Sequence, residues 1–137
     1  MAKKKKPKLK DQVWEIFSKY IRFKYANENG FAECVTCKRT LHWKVLQAGH
    51  FIDGRHNAIL FDERNVHPQC VYCNIYNKAG HKVQYTLFII DKYGRETVEE
   101  LERLNKTERK FYKFELQEML ESYKKKVADL CSMKSLL

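Results

Sequence analysis

Glycine and proline are scarce, at 5 and 2 of 137 residues, which argues against a collagen-like repeat, a low-complexity tail or a loop-rich secreted scaffold. Acidic residues are the minority charge: 17 Asp and Glu stand against 27 Lys and Arg, a formal net charge of +10. A long apolar run is also missing. The longest strongly apolar stretch, Thr86-Leu87-Phe88-Ile89-Ile90, falls far short of the roughly 20 residues that span a bilayer, so no membrane partner is expected. Met1 to Lys10 has the positive flank of a signal peptide, but Asp11-Gln12-Val13-Trp14-Glu15 places charges where an apolar core would be required. The expectation is a chain that stays in a reducing cytoplasm. There, five cysteines that include two Cys-x-x-Cys pairs point to thiolate metal ligation with one thiol left over, not to disulfides.

What is present sets the class. With 44% hydrophobic and 13% aromatic residues the chain can bury one real core, and its length limits it to one compact domain. The positive balance draws in polyanions, because Lys and Arg neutralising phosphates supply the sequence-independent part of nucleic-acid affinity. A merely solvated basic surface is the alternative.

Residues 1–10 hold six lysines and little to bury, which reads as a flexible basic arm. A leading helix over 11–29 follows. Asp11 is placed to cap it, Val13, Trp14, Ile16, Phe17, Tyr20 and Ile21 recur at helical spacing, and Asn27-Glu28-Asn29-Gly30 stops it. Residues 30–82 form the centre. Within it, Val45 to Ile52 and Ala58 to Phe61 read as the two strands of a hairpin around Asp53-Gly54-Arg55-His56-Asn57. Cys73 to Lys78 opens a helix that Gly80 closes. A helical brace over 83–137 completes the single domain: Val83 to Tyr93 up to Gly94, Glu96 to Leu104, and a last long helix capped by Thr107. That last helix carries apolar surface enough for a dimer interface or for packing within the chain, and the spacing does not choose between them.

Cys34-Val35-Thr36-Cys37 and Cys70-Val71-Tyr72-Cys73 each let a tight turn aim two thiolates at one ion, at about 2.3 Å. Four thiolates close a tetrahedral zinc site. Such a zinc is structural, since a full shell leaves no position for water, and a domain this small gains from the staple. Cys131, beside Leu130 and near Val127, is expected to pack as a small apolar residue.

Two knuckles alone would suggest a treble-clef binding module, and the residues between them say more. Gly49-His50, Asn65 in Asp62-Glu63-Arg64-Asn65-Val66-His67, and Asn74 directly after the last zinc cysteine have the order and spacing of an HNH nuclease in its His-Asn-Asn form. This resemblance implies a ββα-metal (His-Me finger) unit within an α+β fold. Ala48-Gly49-His50-Phe51, the run Leu60 to Asn74, and the later Tyr85 with Tyr93-Gly94-Arg95-Glu96 resemble the phage lambda NinG family, also called Rap, over about residues 31–104. That resemblance implies a phage or prophage recombination endonuclease acting on branched DNA, with 5′-phosphate and 3′-hydroxyl products.

The chemistry assigns the roles. Phosphodiester hydrolysis needs a nucleophile made from water and cationic charge for the developing negative charge. His50, neutral near an unperturbed pKa of about 6.5, can be the general base if its other nitrogen donates to a carbonyl that sets the tautomer. Asn74 offers an amide oxygen to catalytic Mg²⁺ or Mn²⁺. Asn65 is expected to tie the loop behind His50 by hydrogen bonds to backbone and not to touch the ion. Many HNH enzymes carry an acidic or His ligand just before the catalytic His, where this chain has Gly49. Asp53, Glu63, His67 and His81 are the candidates to replace it, with His67 preferred because it alternates with Asn65 on one strand face. Arg55, Lys78 and Lys82 are expected at DNA phosphates, while Arg64 could serve a structural ion pair.

Two functions follow: a metal-dependent HNH endonuclease on DNA, or a non-catalytic zinc-stabilised DNA-binding module that recruits recombination or replication partners. A junction-cutting enzyme would need two active sites and hence a homodimer.

Overall fold

The computed structural model describes residues 5–136; the first four residues of the basic arm and Leu137 lie outside them. Helix α1 runs Leu9–Tyr25, so the arm gives way to helix two residues before Asp11. Asp11 is not the cap but sits in the first turn, where a carboxylate favours the positive end of the helix dipole. Val13, Phe17, Ile21 and Phe23 form its buried face.

Strands β1 (Phe31–Glu33) and β2 (Thr40–His42) pair antiparallel around the first Cys-x-x-Cys turn. Strand β3 is Gln47–His50, and its partner is β4, Val66–Gln69, with Gly49 opposite His67 and His50 opposite Val66. The expected second strand at Ala58 to Phe61 is instead the short helix α2, Asn57–Leu60. A four-residue apolar run fits a buried strand or one helical turn equally. The true strand was hidden because Val66-His67-Pro68-Gln69 is buried at every position despite three residues that read as polar or strand-breaking. Pro68 is tolerated there because both strands of a two-stranded sheet are edges, where a missing N–H costs least; its carbonyl accepts from Val35 N–H at 3.0 Å.

After β4 the chain makes a single π-helical turn, Tyr72–Tyr76, and a 3₁₀ turn, Ala79–His81, before α3, Lys82–Tyr93. The regular helix expected at Cys73 is therefore interrupted, and Gly80 lies inside the second turn instead of ending a helix. Gly94, at φ +97°, breaks α3 from α4, Arg95–Asn105. Helix α5 is Lys113–Lys134. Thr107 is not its cap: its hydroxyl donates back to Arg103 O at 3.0 Å, and α5 opens at Tyr112, whose N–H donates to Glu115 at 3.2 Å.

Two apolar clusters hold the sheet between helices. On one side α1 packs along α5, with Val13, Phe17 and Ile21 against Leu116 and Tyr123 and both against Leu60, Phe61 and Val66. The face of α5 that carries Leu116 and Tyr123 is thus spent within the chain, while Phe114 and Met133 stay exposed. On the other side Phe51, Ile52 and Ile59 meet Tyr85 and Ile89 of α3 and Leu101 of α4. Cys131 packs at the edge of a third cluster with Phe23, Ala26, Val127 and Leu136. The architecture is mixed α+β with two small sheets. Among the described residues no helix is long and apolar enough to cross a membrane.

Candidate metal centre and the cleft beside it

The sulfurs of Cys34, Cys37, Cys70 and Cys73 lie within 4.8 Å of one another, all as free thiols. Cys37 and Cys70 Sγ are 3.8 Å apart. A tetrahedral ion with sulfurs at about 2.3 Å requires sulfur pairs separated by about 3.8 Å, so the donor set suits zinc. The β1–β2 turn supplies one pair, and the end of β4 with the π-helical turn supplies the other. Thr36 hydroxyl lies 3.3 Å from Cys34 Sγ, and Cys73 N–H donates to Cys70 Sγ at 3.4 Å. These groups orient the sulfurs from outside the tetrahedron.

Asn74 follows the last of these cysteines, so the cluster places its side chain. It lines a cleft of about 470 Å³ together with His50, Trp14, Gln47, Asp53, Arg55 and Lys78. His50 Nε2 lies 3.2 Å from Leu60 O. A carbonyl only accepts, so in the neutral ring Nε2 carries the proton and Nδ1 is the basic nitrogen, with no hydrogen-bond partner among the described residues. Trp14 stacks on the ring at 4.9 Å and 18°. Burial, reinforced by the Arg55 charge, pushes the His50 pKa below 6.5, against the Leu60 carbonyl and Asp53. The imidazole is neutral at neutral pH.

Asn65 is wholly buried and closes the loop between β3 and β4. Its Oδ1 accepts from Ile52 N–H at 2.8 Å, and its Nδ2 donates to Ile52 O at 3.2 Å. It touches neither the cleft nor the cysteines.

His67 is placed elsewhere. It is 0% exposed, its Nδ1 lies 3.1 Å from Tyr85 OH and its Nε2 2.9 Å from Tyr93 OH. Tyr85 gives its proton to Gly49 O at 2.7 Å, so it accepts from His67 Nδ1–H, and Nε2 accepts from Tyr93. Both nitrogens are occupied, and burial drives the pKa to about 3. The preferred replacement ligand is therefore a neutral core residue with nothing left to offer an ion. Strand alternation with Asn65 could not reveal the tyrosines from α3 that enclose it, and Asn65 itself lies just before β4.

The other candidates divide in the same way. Asp53 lines the cleft in an ion pair with Lys78 at 2.9 Å. Glu63 is held by Tyr20, Tyr123 and Lys24 on the α1–α5 side. His81 sits on the 3₁₀ turn with a buried Nδ1 that has no partner among the described residues, against the edge of Tyr72. Arg55 stacks on Trp14 at 4.9 Å within the cleft. Lys82 instead donates to Phe51 O and lies over the Phe51 ring, outside the cleft. Arg64 pairs with Asp62 and Glu100, each at 2.8 Å, which makes it structural. Trp14 and the Leu60 carbonyl were not legible as site features, because they reach His50 from α1 and α2, and Gln47, on the same strand as His50, carries no motif of its own.

A four-cysteine knuckle carrying an asparagine into a basic cleft opposite a neutral histidine defines the class: a small α+β protein built around a cysteine cluster that could hold zinc. The chain belongs to the bacteriophage lambda NinG protein family, whose model matches residues 1–132. The match takes in the arm and leading helix, which lie outside the motif run at 31–104. Curated relatives include the protein ninG of Escherichia phage 933W, 34% identical over 103 residues covering 74% of this chain and 50% of that protein. The ninG proteins of Salmonella phage P22 and Escherichia phage lambda are 34% and 33% identical over the same length, 49% of each. The chain spans about half the length of these curated relatives. No solved structure matches it.

Proposed function

We propose that this chain is a metal-dependent DNA endonuclease of HNH type, in which β3, β4 and the turn after Cys73 serve as the ββα-metal unit. The observation that carries the reading is the 3.2 Å approach of His50 Nε2 to Leu60 O: a carbonyl there takes Nε2–H and leaves Nδ1 as a proton acceptor in a cleft that also holds Asn74, Arg55 and Lys78. His50 takes the proton of the attacking water at Nδ1, and Trp14 keeps the ring plane in place. Arg55 and Lys78 bind phosphate oxygens and draw the strand toward the cleft. Asn74 would contribute its Oδ1 to Mg²⁺ or Mn²⁺, an ion suited to oxygen ligands, with Asp53 beside it. When bound, that ion supplies positive charge for the phosphate and the leaving oxygen. The cysteine cluster holds zinc and serves structure alone.

Branched DNA of phage recombination is the proposed substrate, acted on in the host cytoplasm by a homodimer that presents two sites. Supercoiled plasmid and a four-way junction incubated with Mg²⁺ or Mn²⁺ test this. Cutting that vanishes in His50→Ala, with DNA binding retained, supports the enzyme. Binding without cutting in either metal supports instead a zinc-stabilised DNA-binding module that recruits recombination or replication partners, the reading favoured by the missing side chain at Gly49.

A further inference from the structure

Position 49 is empty on the strand but not in space. A Cβ built there would lie 1.9 Å from Gln69 Oε1 and 2.9 Å from Asn74 Oδ1. Both amide oxygens therefore close on the face of Gly49 that a side chain would occupy, and an ion they share lies beyond that Cβ position, which is itself at bonding distance from the Gly49 Cα. Gln69 is only 4% exposed, and its orientation is set from behind. Its Nε2 donates to Thr36 Oγ1 at 3.2 Å. Thr36 in turn lies 3.3 Å from Cys34 Sγ; a metal-held thiolate can only accept, so the Thr36 proton goes to sulfur and its oxygen receives the amide. That leaves Gln69 Oε1 facing Gly49. Asn74 is turned likewise, since its Nδ2 donates to Gln47 Oε1 at 2.8 Å and its Oδ1 points to the same place. Neither oxygen has a hydrogen-bond donor among the described residues.

We infer that Gln69 is the ligand that replaces the side chain missing at Gly49: a divalent cation is held by Gln69 Oε1 with Asn74 Oδ1, and Thr36 ties this pair to the cysteine cluster. The inference rests on the nuclease reading for what the cation does, but not for where it binds. Among the described residues, the four cysteines are the one group of three or more His, Cys, Asp or Glu side chains that converge, so a second cation here has no such cluster to hold it and draws on the amide oxygens, with Asp53 the one carboxylate lining the cleft. Mg²⁺ and Mn²⁺ accept such sites when a few protein oxygens are completed by water and substrate phosphate. Gly49 is then required: any side chain would displace the Gln69 carboxamide.

Mn²⁺ binding to the zinc-loaded full chain, read by electron paramagnetic resonance and by calorimetry, tests the assignment without recourse to activity. Gln69→Ala is expected to weaken Mn²⁺ at least tenfold, and Gln69→Glu to restore or exceed wild-type affinity, with one zinc per chain and the far-ultraviolet spectrum unchanged. Thr36→Val, which leaves Gln69 in place but removes its anchor, is expected to weaken Mn²⁺ to a smaller degree and guards against a Gln69→Ala chain that fails to fold. A folded Gln69→Ala protein that binds Mn²⁺ as wild type does, or a wild-type chain that binds none, overturns the inference. If Gln69→Ala keeps both Mn²⁺ and cutting, the nuclease reading stands without this ligand. Mn²⁺ that is lost with Gln69 in a wild-type chain that never cuts DNA leaves the site and removes the nuclease.

Discussion

His50 and His67 stand on paired strands of one two-stranded sheet and have opposite environments. His50 keeps one nitrogen for the cleft because Leu60 O occupies only the other. His67 has both nitrogens taken by Tyr85 and Tyr93 and no exposure at all. The tautomers are opposite as well, Nε2–H in one and Nδ1–H in the other. A histidine's role here is decided by how many of its two nitrogens the fold leaves over, not by residue type or strand position.

Disrupting the cysteine cluster breaks both sides at once, because Cys70 directly follows β4 and Asn74 directly follows Cys73. Cys70→Ser is expected to abolish stoichiometric zinc and to unfold the centre, a loss of several kcal/mol since site-binding energy is folding energy; zinc content and a melting curve read both. The histidines then separate. His50→Ala is expected to cut hydrolysis by about 10²–10⁴-fold and to leave the melting temperature nearly unchanged. His67→Ala is expected to do the reverse: it opens a cavity and strips the buried Tyr85 hydroxyl and the half-buried Tyr93 hydroxyl of a partner, costing about 3 kcal/mol in chemical denaturation, while the folded fraction still cuts.

Acid sharpens the contrast. Folding lowers the His67 pKa from 6.5 to about 3, so the native state holds this ring neutral. Its contribution is complete above about pH 6.5 and is lost as pH falls toward 3, at about 1.4 kcal/mol per unit below the unfolded value. Urea midpoints measured from pH 7 to pH 4.5 should fall in wild type and fall less in His67→Gln; equal slopes would remove His67 as the cause. The smallest effect concerns two lysines. Lys78→Ala, in the cleft, should weaken DNA binding and reduce the salt slope by about one, whereas Lys82→Ala, bound to the Phe51 carbonyl, should leave the slope unchanged.

The cysteine pairs were legible because a two-residue gap between thiolates has a geometric meaning wherever it occurs, and the helices of the C-terminal half were legible from apolar periodicity within two or three residues, apart from the start of α5. The partner of β3 was not. Ala58 to Phe61 looks more like a strand than Val66 to Gln69 does, and only the burial of His67 and Gln69 under α3 and beside the cysteine cluster makes the latter one. Gln69 lies inside the run that carries the family resemblance but has no role legible there, and its meaning arises from Gly49, across the sheet, having no side chain.

Sequence by itself determined the charge, the four thiolates, the order of His50, Asn65 and Asn74, and the helical faces, since each depends on residues near one another along the chain. Tertiary structure alone decided which histidine is left with a free nitrogen, that α5 packs on α1, and which lysine faces the cleft. Those outcomes turn on partners as distant as Tyr93 from His67 or Leu116 from Val13, and hydrogen bonds and desolvation act over a few ångströms of space whatever the separation in sequence.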